Sequence, residues 1–304
     1  MTVTAQSAPT APLWIAAAAL ISNSFVWGLS WIPFRALQVA GVHPLWATAM
    51  VFTVALVCLV AWRPGAWRGF TAHPGLWVLF AATGISNVGF NWAVTIGDVV
   101  RVALLFYTMP AWAVLLAWLV LGERPTQARL LQVALALAGV MVVLKKPGVP
   151  WPVPESLADY LALLGGFSFA LTNIMLRKLR NVPSAARMLA MFSGGAGMAT
   201  VMALIAMAAG WVQAVPFANG AWFTWIGWTA VLCVGFIGGN LALQYGAARL
   251  SAVAGSLIML SEVLFASVSS VMMGASSADT RTLAGGTMIL LAALLASRSD
   301  NQGI

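Results

Sequence analysis

Apolar residues fall along this chain in long unbroken stretches, set apart by short polar links. A helix crossing a bilayer needs about 20 mostly apolar residues. A window of that length predicts ten spans, at 13–34, 44–62, 75–96, 99–121, 128–144, 157–176, 187–209, 221–245, 251–273 and 282–297. Within them apolar and polar positions do not alternate at period two, so helices are expected rather than the strands of a barrel. The links are short, and none is long enough for a soluble domain. The segment Met1 to Pro12 has no Lys or Arg, and the apolar run after it is too long for a signal-peptide core, so the first span is expected to be retained. The expected fold class is an all-α polytopic membrane protein with ten transmembrane helices.

Composition sharpens the picture. Hydrophobic residues make up 62% of the 304 and charged ones 7%, against about 45–50% and 25% in soluble domains. Cys58 and Cys233 lie in apolar runs and read as small core residues. With the N-terminus inside, ten of the Lys and Arg residues fall on inner links and the tail, and five (Arg35, Arg101, Lys145, Lys146, Arg281) fall outside. That bias predicts both termini in the cytoplasm. The net charge of +8 then reads as a basic rim over anionic lipid, and no nucleic-acid partner is implied. His43 and His73 fall on opposite sides of the membrane, and no GxxxxGKS loop occurs, so metal hydrolysis, Ser-His-Asp chemistry and direct ATP drive are disfavoured. No cofactor or metal is expected, and the chain does not read as an enzyme.

Two halves of the chain match each other. Phe25 to Arg35 (FVWGLSWIPFR) and Phe167 to Arg177 (FSFALTNIMLR) share Phe, Leu, Ile and Arg at an offset of 142. At an offset of 152 Gly122 falls on Gly274 and Arg129 on Arg281; at 153 Asn87 falls on Asn240 and Asn91 on Gln244. Each half holds five spans, 1–146 and 157–304, joined by a Pro-rich link at 147–156. Five is odd, so the second half must sit inverted relative to the first, an arrangement common among secondary transporters.

Several stretches resemble a known family. Trp27-Gly28, the run YTMPAWAVLLAWLVLGE from Tyr107 to Glu123, and the fifth-span run LALAGVMVVL are similar to the EamA-type drug/metabolite transporter superfamily. The closest likeness within it is to the aromatic amino acid exporters of the YddG type. This resemblance implies two five-helix repeats and export of aromatic and other apolar amino acids. The second half departs from the pattern: Glu262 or Val263 stands where the first half has Pro110, and MGAS replaces LGE at Gly274.

Polar residues inside the spans mark the candidate site. Asn87 and Asn91 share one helical face, and Asn240 and Gln244 repeat it; Asn23 and Asn173 add further amides. An amide in hydrocarbon must be bonded, so these face the bundle interior, either as glue between helices or as cavity lining beside Trp27, Trp31, Trp92 and Tyr107. Glu262 is the one ionisable residue near mid-span. Three roles are open to it: proton carrier, partner of a substrate ammonium, or protonated structural donor. The candidate binding set is Asn23, Trp27, Asn87, Asn91, Tyr107, Asn173, Asn240, Gln244 and Glu262. Pro110 breaks the fourth-span ladder, as a hinge or as passive shape, while the ninth span is expected to keep its ladder and stay stiffer. The glycine pairs 165–166, 194–195, 238–239 and 285–286 are expected to let helices approach closely.

The expected function is a bacterial inner-membrane carrier that exports amino acids by alternating access. The small-molecule cargo and the lipid bilayer are its partners, and a monomer is compatible with this reading. Rival readings are a multidrug exporter of lipophilic cations and a non-transporting membrane scaffold. Reporter fusions at Trp67 and Trp151 test the topology. They should report opposite sides of the membrane, and the same side for both would overturn the orientation and the repeat together.

Overall fold

The computed structural model describes residues 12–97, 99–144, 154–215, 222–274 and 280–302. Regular structure among them is entirely helical, in fourteen segments. The first half forms α1 (Leu13–Leu29), α2 (Trp31–Val39), α3 (Pro44–Trp62), α4 (Ala66–Ala72), α5 (Gly75–Ile96), α6 (Val99–Phe106), α7 (Met109–Leu121) and α8 (Gln127–Leu144). The second forms α9 (Leu157–Lys178), α10 (Ser184–Ala208), α11 (Trp222–Ala247), α12 (Ala252–Met259), α13 (Ser261–Met272) and α14 (Thr280–Gln302). Six stretches among the described residues are long and apolar enough to cross a membrane: 13–39, α3, α9, α10, α11 and 252–269. The other expected spans are helical as α5, as the pair α6–α7, as α8 and as α14. Most of the link at 147–156 lies outside the described residues.

The outer faces carry large apolar side chains such as Val231, Val234, Leu119, Leu131 and Leu283, all more than half exposed. A surface of that kind suits lipid rather than water. Trp14, Trp62, Trp77, Trp211 and Trp222 are also exposed, and each lies at or near a helix end.

Local chemistry fixes the helix ends. Ser156 and Asp159 form a capping box at the start of α9, and the Ser251 hydroxyl accepts from the Ala254 N–H at the start of α12. His43 Nδ1 accepts from the Leu45 N–H at the start of α3. Partial burial lowers the His43 pKa and so favours the neutral ring, and the Leu45 N–H selects the tautomer with Nδ1 as acceptor. Gly122 (φ 72°) closes α7 and Gly274 (φ 68°) closes α13, both in the left-handed region that favours glycine. The offset of 152 read from the sequence thus recurs as backbone geometry.

Three spans are interrupted. Pro33 lacks an N–H, and the first span breaks at Ser30, whose hydroxyl donates to the Trp27 carbonyl at 2.7 Å. Pro110 likewise cannot donate to the Phe106 carbonyl, and α6 gives way to α7 across Tyr107 and Thr108. The Thr108 hydroxyl donates to the Leu105 carbonyl at 2.6 Å. The ninth span corrects the expectation of an unbroken ladder: it breaks at Leu260, between α12 and α13, without a proline. The cause lies on another helix. Ser24 of α1, fully buried, donates to the Met259 carbonyl at 3.2 Å and supplies a partner at the break. Pro110 and Glu262 accordingly occupy the same second position of α7 and α13.

Helix contacts come in matched pairs. α1 packs on α11 as α9 packs on α5; α13 packs on α1 as α7 packs on α9; α11 packs on α3 as α5 packs on α10. α3 also packs on α10, and α8 on α14. At one end Glu123, just beyond α7, pairs with Arg177 of α9 at 2.8 Å and with Arg129 of α8 at 3.7 Å. Arg177 also donates to the Leu250 carbonyl ahead of α12.

Close approach depends on glycine at α5–α10 and α6–α9. A Cβ on Gly194 would overlap the Phe80 carbonyl, and one on Gly166 would overlap the Phe106 carbonyl, the group left without its donor by Pro110. Gly238 has open space around it. Overpacking costs about 1–3 kcal/mol. Gly194→Ala should therefore lower the thermal midpoint of the purified protein clearly, whereas Gly238→Ala should leave it nearly unchanged.

Candidate functional site

The interrupted helices and α5 enclose a cavity between the two halves, with about 650 Å³ of empty space, part of it open to solvent. Its polar wall comes from α5. Thr83, Ser86, Asn87 and Asn91 recur every three or four residues, which is one face of a helix, and α9 adds Thr172 while α11 adds Asn240. Its apolar wall is Trp27, Phe52, Phe90, Phe106 and Phe169, with Met191 and Leu243. The rings form two clusters: Trp27 stacks at 4.4 Å between centroids on Phe236, which lies 5.6 Å from Phe52, and Phe106 lies 4.7 Å from Phe90 and 5.8 Å from Phe169. Glu262 is the sole ionisable side chain among the described residues lining it.

Glu262 is held from three sides. It stands in the first turn of α13, just past the break at Leu260. Tyr107, buried at the break in the other half, donates its hydroxyl hydrogen to Glu262 Oε1 at 3.2 Å. Gly28 of α1 lies against the α13 backbone, where a Cβ would come within 2.9 Å of the Glu262 carbonyl oxygen. Trp27-Gly28 thus does two things at once: the indole lines the cavity, and the glycine lets α1 seat the acid beside it.

The amides are locally bonded. Asn87 Nδ2 donates to the Thr83 carbonyl at 2.8 Å. Asn91 Nδ2 donates to the Thr48 hydroxyl oxygen, and Thr48 in turn donates to the Pro44 carbonyl. Gln244 Nε2 donates to Asn240 Oδ1 at 3.0 Å.

Of the candidate set, Trp27, Asn87, Asn91, Asn240 and Glu262 line the cavity, and Tyr107 reaches it through Glu262. Gln244 is buried behind the wall and orients Asn240. Asn173 is buried and bonds the Phe169 carbonyl on its own helix at 3.1 Å. Asn23 is buried against Gly239, its carbonyl oxygen 3.2 Å from where a Cβ there would stand. Trp31 donates to the Ser269 hydroxyl at 3.0 Å and ties α2 to α13, and Trp92 packs near Trp211. Sequence reasoning passed over Thr83, Ser86, Thr172 and the phenylalanines. For Thr83 and Ser86 the signal was available, because they extend the Asn87–Asn91 face by one turn.

Comparisons with known proteins agree with this architecture. Residues 14–145 match the EamA-like transporter family. The uncharacterized transporter YojE of Bacillus subtilis is 29% identical over 174 residues, which are 53% of this chain and 55% of that protein. The uncharacterized transporter PA0485 of Pseudomonas aeruginosa is 32% identical over 150 residues, 47% of this chain and 49% of that protein. The chain thus spans about half the length of the curated relatives it matches. A solved crystal structure, 16% identical, superposes with a TM-score of 0.76 over 94% of this chain and 98% of its own. At that identity the likeness speaks for the fold alone. The first half of the chain is therefore similar to the EamA-like transporter family, and both curated relatives are named as transporters.

Losing a buried hydrogen-bond partner costs about 1–3 kcal/mol. Gln244→Leu removes the donor to Asn240 and should lower the thermal midpoint. Asn87→Ala removes a bond within one helix and should shift the midpoint far less. Equal losses in both variants would contradict the distinction between wall and support.

Proposed function

We propose that this chain is a secondary transporter of the bacterial inner membrane that exports amino acids with aromatic or other large apolar side chains. Its cavity carries the reading, because one space joins a carboxyl group (Glu262), amides and hydroxyls (Asn87, Asn91, Asn240, Thr83, Ser86) and an aromatic shell. A zwitterion with a bulky apolar side chain has a matching part for each. Phosphate or nucleotide-sugar cargo would call for Lys or Arg, and none occurs among the lining residues.

Access alternates between two inverted five-span halves, 1–146 and 157–304. Support comes from the matched helix contacts, from the glycine caps at 122 and 274, and from the breaks at Thr108 and Leu260, which each stand directly ahead of the second helix of a split span. Transporters of this kind bind cargo where discontinuous helices meet near the midplane. The ten-to-five distribution of Lys and Arg favours both termini in the cytoplasm. Within this scheme the two interruptions share the bending between them, with Pro110 fixing the position of one. A second reading, export of lipophilic cations, draws on the same carboxyl group beside aromatic rings.

Purified protein in liposomes loaded with labelled phenylalanine tests the proposal. Efflux should exceed that of protein-free liposomes, and a permanently cationic dye should compete weakly. Dye flux without amino acid flux would favour the second reading, and no flux of either would leave a scaffold.

A further inference from the structure

We infer that the ammonium group is the element this cavity requires and the carboxylate is one it tolerates, so that primary arylalkylamines bind at the same site as the amino acids. The inference rests on the proposed amino acid reading for the identity of the site, and it predicts a wider cargo class than that reading.

Several of the wall's hydrogens are already bonded within the protein. Thr172 donates its hydroxyl hydrogen to the Ser168 carbonyl at 3.0 Å. Thr83 and Thr172 are 3.4 Å apart, so the hydrogen between them must come from Thr83. Both hydroxyl hydrogens are then spent, and the two threonines offer the cavity only lone pairs. Asn87 and Asn91 follow the same logic. The Thr83 carbonyl can only accept, so it fixes the Asn87 amide with nitrogen toward it. Thr48 has already given its hydrogen to Pro44, so its oxygen can only accept and fixes Asn91 in the same sense. The carbonyl oxygens of both amides are left for whatever enters. One amide hydrogen on each remains, a neutral donor.

The charges point the same way. Glu262 lines the cavity, and no Lys, Arg or His does so among the described residues. Tyr107 occupies one of its two carboxyl oxygens. Asn240 is the exception among the amides, since its oxygen takes the Gln244 hydrogen and its N–H groups remain as neutral donors. An ammonium ion brings three donors and a positive charge to a wall in which Thr83, Thr172, Asn87 and Asn91 offer acceptors beside one acid. A carboxylate brings only acceptors and meets the same acid as a like charge. The aromatic shell of Trp27, Phe90, Phe106 and Phe169 accepts the aryl group in either case.

Equilibrium binding by calorimetry on the detergent-purified full chain at pH 7 avoids leakage of free amine across a bilayer. The probes are phenylalanine, phenethylamine and 3-phenylpropionate. Phenethylamine should bind within about threefold of phenylalanine, and phenylpropionate at least about tenfold more weakly, as loss of one charge-assisted bond implies. Glu262→Gln should weaken the amine by about tenfold or more; the wild-type ligand series tests the inference without any variant. Phenylalanine binding without phenethylamine, or phenylpropionate binding as tightly as the amine, would overturn the inference and leave the amino acid reading standing. Phenethylamine binding without phenylalanine would overturn the tolerance of a carboxylate and, with it, the amino acid reading. Failure of all three ligands would remove both.

Discussion

The hydrogen bond from Tyr107 to Glu262 joins two interrupted helices, one from each half of the chain. Its existence depends on a constraint set by lipid: a backbone ladder can be opened inside a membrane only where something else satisfies the freed groups. The two halves meet this constraint differently. In α6–α7 a proline removes the donor, a threonine hydroxyl takes up the Leu105 carbonyl, and Gly166 lies against the Phe106 carbonyl. In α12–α13 no residue is chemically barred from the ladder, and Ser24 reaches across from α1 to donate its hydroxyl hydrogen to the Met259 carbonyl. Each break turns a side chain inward, the phenol from one half and the carboxyl from the other, and the two meet.

Small residues then set how tightly the other helices close around that pair. Gly28 seats α1 on α13 beside Glu262, and Gly194 seats α10 on α5 behind the polar wall. Behind them, Gln244 and Thr48 hold the amides in fixed orientations. Polar groups that touch the cavity are thus backed by others that do not, and the division decides which substitutions act on binding and which on stability. At one end of the bundle the Glu123–Arg177 pair gathers α7, α9 and the turn before α12, where the LGE sequence of the first half has no equivalent acid in MGAS.

Much of this was legible in the residues. Unbroken apolar stretches placed the helices, and the 152-residue offset between Gly122 and Gly274 marked a repeat that recurs in the backbone as two left-handed caps. The Asn87–Asn91 spacing pointed to the polar wall because helical periodicity is local. What could not be read was set by partners distant in sequence. The break at Leu260 depends on Ser24, more than two hundred residues away. Gln244, Asn173 and Asn23 share residue type with the wall amides, and only packing separates the two groups. The phenylalanines of the shell look in sequence like any other apolar filling of a helix.

On the proposed function, cargo sits between the two interrupted helices with its positive group on Glu262. A structure of the chain determined with bound phenylalanine should place the ammonium nitrogen at about 3 Å from a Glu262 carboxyl oxygen, with the ring against Trp27 and Phe106. An occupied ligand with its carboxylate at Glu262, or one bound away from both interrupted helices, would contradict it.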